Sequence, residues 1–243
     1  SKTILVSIMF VNNEVGTVQQ IYDIQDIIAE TNAYFHVDAV QAIGHLDVKF
    51  DEFEIDAMSI TAHKFGGPKG VGALLVKDHV TLDYPQLGGE QELKRRAGTE
   101  NLAQIVGMAK ALQLAEKNRD DNNIHLMNLK EQFLVKLQER SIPFELNGSM
   151  TDATGHIVNL YFPFVEVETM LTLLDMAQIY VSSGSACTAG STQPSHVLGA
   201  MFEDEERSNH SIRFSFNELT TENEINAIVA EIHKIYFKFK EES

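Results

Sequence analysis

The chain has 243 residues, 44% apolar and 22% charged. That is enough for one large domain or two small ones and too apolar for a disordered segment. Its 19 basic and 35 acidic residues leave a formal net charge of −16, a surface that repels phosphate backbones and anionic bilayers, so neither nucleic acid nor membrane is expected as a partner. The single cysteine excludes an internal disulfide, and with no cleavage-type leader and no apolar run of spanning length a cytoplasmic location is expected.

Residues 3–10 (TILVSIMF) predict a strand covered on both faces, and a buried strand as first element implies something before it in the domain. Ile21, Ile24, Ile27 and Ile28 then recur at helical spacing between Gln20 and Thr31, and YFHVDA (34–39) reads as a second strand. Strand, helix, strand is the grammar of a mostly parallel sheet. DAMSIT (56–61) and GVGALLV (70–76) continue it on either side of a turn at Gly66-Gly67-Pro68.

From Asn101 the period becomes helical. Leu102, Ile105, Val106, Ala109, Leu112 and Ala115 form one stripe, and Leu126, Leu129, Phe133 and Leu137 form another. The polar run 117–123 between them predicts two helices and a domain boundary, with a partial large domain at 1–117 and a small domain at 118–243. The second part predicts strands at 156–162, 179–183 and 211–216, a helix from Val167 to Ala177, and a loop from Gly184 to Ser191. Thr221-x-x-Glu224 predicts a capping box ahead of a helix bearing Ile225, Ile228, Ile232 and Ile235. The fold class is therefore α/β with a mostly parallel sheet, followed by an α+β domain with an antiparallel sheet.

The densest chemical cluster is Thr61-Ala62-His63-Lys64-Phe65-Gly66-Gly67-Pro68-Lys69-Gly70. It puts titratable side chains at the C-terminal edge of a parallel sheet, where such folds bind ligands; an ordinary surface turn is the competing reading. The spacing of a P-loop is absent. Asp38 ends a strand at the same edge, where a carboxylate either finds a cationic partner or caps a helix. His36 shares its strand face, but no third ligand at convincing spacing supports a metal site. Cys187 lies among Gly, Ser, Ala and Thr, which favours an exposed thiol over a core one. Arg213 sits between apolar strand residues and needs an anionic partner, from the protein or from a substrate.

Six stretches resemble the cysteine desulfurases of aminotransferase class V, and they occur in that family's order. They are Val11-Asn12-Asn13-Glu14-Val15-Gly16, His36-Val37-Asp38-Ala39-Val40-Gln41, the Thr61–Gly70 cluster, Arg96-Ala97-Gly98-Thr99-Glu100-Asn101, Ser182-Ser183-Gly184-Ser185-Ala186-Cys187 and Ser211-Ile212-Arg213-Phe214-Ser215. The resemblance implies a pyridoxal 5'-phosphate enzyme of fold type I that converts L-cysteine to L-alanine with a persulfide on Cys187. Lys64 would hold the cofactor as a Schiff base and move the α-proton, with His63 beside it. Asp38 would pair with the pyridine nitrogen. Asn13 and Gln41 would bond the ring oxygen or the substrate side, Thr61 and His63 the phosphate, and Thr99 the phosphate of a neighbouring subunit. Arg213 would clamp the substrate carboxylate.

The Ser-Ser-Gly-Ser-Ala-Cys form resembles the iron–sulfur branch, which implies a homodimer, a sulfur-accepting scaffold or thiolation acceptor, and no metal site. Family members carry a domain-sized stretch of roughly 140 residues before the position of Ser1. A separate chain supplying that stretch is one expectation. A truncated, non-catalytic scaffold-binding form is another, and a selenocysteine lyase or an aminotransferase is the enzymatic alternative.

Overall fold

The computed structural model describes residues 2–84, 86–184 and 194–241. They form two compact units. The first comprises Ser1–Phe10 and Gln19–Asp120, and the second Val11–Val18 and Asp121–Ser243.

The first unit is built on a four-stranded sheet of β1 (Leu5–Met9), β2 (Tyr34–Asp38), β3 (Ala57–Thr61) and β4 (Gly72–Val76), in that spatial order. β1, β2 and β3 run parallel and β4 is antiparallel to β3. The helix α1 (Ile21–Ala29) makes the β1-to-β2 crossover and buries Ile21, Gln25 and Ile28. Strict alternation sets the two faces. Phe35, Val37, Met58 and Ile60 are buried, while His36, Asp38, Ser59 and Thr61 project from the opposite face. β4 approaches β3 closely at Gly72, where a Cβ would lie 2.7 Å from the Ile60 carbonyl oxygen.

Among the described residues β1 lies at the edge of this sheet, hydrogen-bonded to β2, and Leu5 is 54% exposed. Leu74 on the other edge strand is exposed as well.

The helix α2 (Leu102–Glu139) is one element, not two. The run 117–123 contains neither Pro nor Gly, and the moderate propensity cost of Asn and Asp does not break a helix. Arg119 adds local support through Glu116 at 2.6 Å and Asp120 at 3.2 Å. The early stripe is not core: Leu102, Ile105 and Val106 are exposed.

In the second unit the antiparallel sheet has the order β5 (Glu145–Asn147), β6 (Ile157–Tyr161), β7 (Ser211–Ser215). α3 (Val167–Met176), α6 (Glu222–Glu241) and the C-terminal half of α2 bury their apolar faces in a common core with Val158, Leu160, Ile212 and Phe214. Phe133 meets Phe214 edge-on at 4.9 Å, a favoured aromatic geometry. Between these lie the short helices α4 (His196–Phe202) and α5 (Glu205–Asn209). The strand expected at 179–183 is reduced to one bridge, Ser182 with Arg213. No helix among the described residues is long and apolar enough to cross a membrane.

Candidate active site

In the first unit the polar face of the sheet leads to the candidate site. His36 is held across three strands, with Nδ1 2.7 Å from Ser7 Oγ and Nε2 2.8 Å from Ser59 Oγ. Both ring nitrogens are thus committed to serines, so His36 is a sheet-face strut rather than half of a metal pair. Among the described residues no group of three or more His, Cys, Asp or Glu is arranged to hold a metal ion.

Asp38 stands two residues beyond the strut, on the same face at the C-terminal end of β2, in register with Ser59. Its Oδ1 accepts from the Val40 N–H at 2.9 Å, and Ala39 N–H donates to the Ser59 carbonyl at 3.0 Å. The carboxylate therefore fixes a turn and caps no helix. Gln41 follows in that turn and is buried.

On the adjacent parallel strand, Thr61 closes β3 and the chain enters a single 3-10 turn, Ala62–Lys64. Thr61 Oγ1 donates to the Val71 carbonyl at 3.3 Å, so the 3.1 Å contact between Thr61 Oγ1 and His63 Nδ1 is donated by the imidazole. Lys64 ends the turn and is exposed. The glycines behind it let the backbone fold tightly. Gly67 N–H donates to Ala62 O at 2.8 Å, and a Cβ on Gly67 would fall 2.8 Å from Ala62 Cβ. Register and alternation thus gather Asp38, Gln41, Thr61, His63 and Lys64 at the C-terminal ends of two neighbouring strands, with Asp38 and Thr61 on one sheet face. Thr99 belongs to the same unit but lies in an exposed stretch just before α2.

In the second unit, residues 11–18 form a strap closed by the Val11–Val18 bridge. Asn12 Oδ1 accepts the N–H groups of Glu14 and Val15 at 2.8 and 3.1 Å, a side-chain-closed turn. Gly16 takes φ +73°, and a Cβ there would lie 3.2 Å from Ile157. Arg213, in β7 opposite Asn159, donates through Nη1 to the Asn13 carbonyl at 2.9 Å. Asn159 Nδ2 donates to the Glu14 carbonyl at 3.1 Å. The polar face of the small sheet thus seats the strap and joins Asn13 to Arg213. Cys187 lies outside the described residues.

No sequence motif announces the pairing of Glu14 with Ser195: Glu14 is 1% exposed and accepts from Ser195 Oγ. The available signal was an acid inside a turn that also carries Asn and Gly, since a carboxylate there is either solvated or paired.

The model of the aminotransferase class-V family matches residues 1–228, and the chain belongs to that family. It is 43% identical to the cysteine desulfurase IscS of Clostridium botulinum (strain Hall), a match covering 100% of this chain and 62% of that protein. A relative from Bacillus subtilis (strain 168), named provisionally as cysteine desulfurase IscS 1, is 50% identical over 215 residues, covering 88% of this chain and 57% of its own length. The crystal structure of a NifS-like protein from Rickettsia africae superposes with a TM-score of 0.86 at 31% identity, covering 96% of this chain and 62% of that one. Both the mostly parallel α/β sheet and the fold type I architecture agree with this neighbour. The chain spans about 60% of the length of the relatives it matches.

Proposed function

We propose that the chain is the part of a cysteine desulfurase that carries the lysine, the carboxylate-binding arginine and the sulfur-accepting thiol. Residues 1–117 would supply the cofactor-binding part and 118–243 the small domain. The observation that carries this reading is the shared edge of β2 and β3, where Asp38, Thr61, His63 and Lys64 stand at adjacent strand ends.

The donor set fits pyridoxal phosphate. Thr61 Oγ1 and His63 Nδ1, 3.1 Å apart, are two donors that can turn together onto one phosphate. Asp38 offers a carboxylate to a protonated pyridine nitrogen, Gln41 and Asn13 offer amides to the ring oxygen and the substrate, and Lys64 offers the amine that holds the aldehyde. Thr99 would reach the phosphate of a second copy. When bound, the cofactor acts as an electron sink for charge developing on the substrate's Cα.

The chain's own residues do the rest. Arg213 binds the carboxylate of L-cysteine with its planar donor fork. Lys64 Nζ takes the Cα proton and returns a proton as alanine forms. Asp38 keeps the ring nitrogen protonated. The Cys187 thiolate attacks the substrate sulfur, the C–S bond breaks, and the products are L-alanine and a Cys187 persulfide. The same reading includes a homodimer, residues from outside this chain that complete the cofactor cradle, and transfer of the sulfur to an iron–sulfur scaffold or thiolation acceptor.

The test is incubation of the protein, with cofactor, in L-cysteine, followed by alanine measurement and mass analysis. Equal amounts of alanine and of persulfide on Cys187 are expected, with both lost in Cys187→Ser. Alanine formation that persists in that variant would point to an aminotransferase or lyase instead.

A further inference from the structure

On the polar face of the small sheet, Asn147 of β5, Asn159 of β6 and Ser211 of β7 are fully buried. Asn147 lies directly opposite Asn159, and Asn159 directly opposite Arg213. Arg207 Nε donates to Asn147 Oδ1 at 2.6 Å. Asn147 Nδ2 donates to Asn159 Oδ1 at 2.8 Å and to Ser211 Oγ at 2.9 Å. Asn159 Nδ2 in turn donates to the Glu14 carbonyl in the strap at 3.1 Å.

The direction of these bonds is fixed. A guanidinium only donates, so Asn147 must turn its oxygen to Arg207. The Ser211 hydroxyl gives its proton to the Arg207 carbonyl at 2.6 Å, so it can only accept from Asn147. Asn147 therefore shows nitrogen to Asn159, Asn159 answers with oxygen, and the Asn159 amide nitrogen is left facing the strap. The preceding strap carbonyl, that of Asn13, accepts from Arg213. Two successive carbonyls are thus held by two residues paired across β6 and β7.

We propose that Asn159 is a positioning residue for the carboxylate-binding arginine. It seats the strap at Glu14, which holds the Asn13 carbonyl where Arg213 Nη1 meets it, and so sets the direction of the guanidinium. Arg207 acts through Asn147 on the same bond. The role of Arg213 in this statement rests on the function proposed above. The seat itself rests on contacts within the second unit.

The experiment uses the full chain with Asn159→Asp, Asn147→Asp and Ser211→Ala, and two readouts. Asn159→Asp keeps the shape and loses the donor. The Asn147 side chain bonds to no strap residue, but Asn147→Asp shows Asn159 only acceptors, so the Asn159 amide turns over and brings its oxygen to the Glu14 carbonyl. Ser211→Ala removes an equally buried member of the network and leaves the line from Arg207 to the strap intact. The first readout is amide hydrogen exchange at Asn12 and Gly16, whose N–H groups donate to the Thr17 and Asn12 carbonyls and close the strap. Relative to the amides of the β6–β7 ladder, both Asp variants should speed it about fivefold, and Ser211→Ala should not. The second is alanine formation from L-cysteine with cofactor added. KM should rise about tenfold in Asn159→Asp, whose carboxylate also stands opposite Arg213 and competes for it, and about threefold in Asn147→Asp, with kcat within about twofold in each. Ser211→Ala should keep KM and kcat within about twofold of wild type.

Unchanged strap exchange in Asn159→Asp overturns the proposal, as does equal speeding of strap and ladder, which marks a loss of stability alone. So does a fall in kcat with KM unchanged, or a KM shift in Ser211→Ala as large as in Asn147→Asp. If Asn159→Asp does not fold, the comparison of Asn147→Asp with Ser211→Ala decides. A wild-type chain that makes no alanine from L-cysteine contradicts the proposed function alone, and the exchange comparison then decides the seat.

Discussion

Arg213 Nη1 donates to the Asn13 carbonyl oxygen at 2.9 Å, joining positions 200 residues apart in the sequence. The arginine also pairs through its backbone with Ser182 on one side, at 2.7 and 3.1 Å, and lies opposite Asn159 on the other. It is therefore fixed along its strand, with its head group oriented by the strap.

A guanidinium held in this way is suited to a carboxylate. Arg213→Ala is expected to raise KM for cysteine about 30- to 100-fold, the loss of a charge-assisted pair. Arg213→Lys should recover only part of it, because an ammonium lacks the planar fork. Steady-state kinetics of the three proteins check this, and unchanged KM in Arg213→Ala would remove the arginine from the substrate site.

The capping box at the start of α6 gives a pH-dependent prediction. Thr221 N–H donates to Glu224 Oε2 at 2.7 Å, and Glu224 N–H donates to Thr221 Oγ1 at 3.3 Å. The Thr221 N–H, and then its hydroxyl, hold the Glu224 carboxyl below its ordinary 4.5. With the folded value depressed, the stabilisation is present above the ordinary value and is lost as pH falls through the lowered one. Thermal unfolding should place Glu224→Ala below wild type at neutral pH, with the gap narrowing as pH falls below the ordinary 4.5 and through the lowered value. A gap that persists unchanged in acid would contradict the charged cap.

Lys130 shows the opposite sign. It is 1% exposed, and its Nζ is 3.4 Å from the Ser149 carbonyl, a long and weak bond. Burial pushes the ammonium below its ordinary 10.5. Between the lowered value and 10.5 the unfolded chain binds more protons, so this lysine's destabilising effect is largest at lower pH and fades as pH rises. Lys130→Met is expected to stabilise the second unit at neutral pH, because it removes a buried ammonium held by one weak hydrogen bond. That advantage should shrink toward pH 10.5. Urea unfolding at several pH values measures it, and a less stable Lys130→Met protein at neutral pH would contradict the account.

Much of the fold was legible in side-chain periodicity. The alternation in YFHVD and AMSIT announced β2 and β3 and put Asp38 and Thr61 on the polar face. Thr221 and Glu224 announced the start of α6. What escaped depended on neighbours that periodicity does not encode. The run 117–123 reads as a linker by polarity but stays helical because nothing in it breaks a helix. The motifs located the site residues along the chain. The pairing of Glu14 with Ser195, 181 positions apart, required the folded second unit.

The central claim is that Lys64 is the amine that holds the cofactor. Pyridoxal phosphate is added to the protein, the adduct is reduced with borohydride, and the modified residue is located by peptide mass mapping, with Lys64→Ala in parallel. The account predicts one dominant pyridoxyl group on Lys64, absent from the variant. A label spread over the other lysines, or one of equal strength in Lys64→Ala, would contradict it.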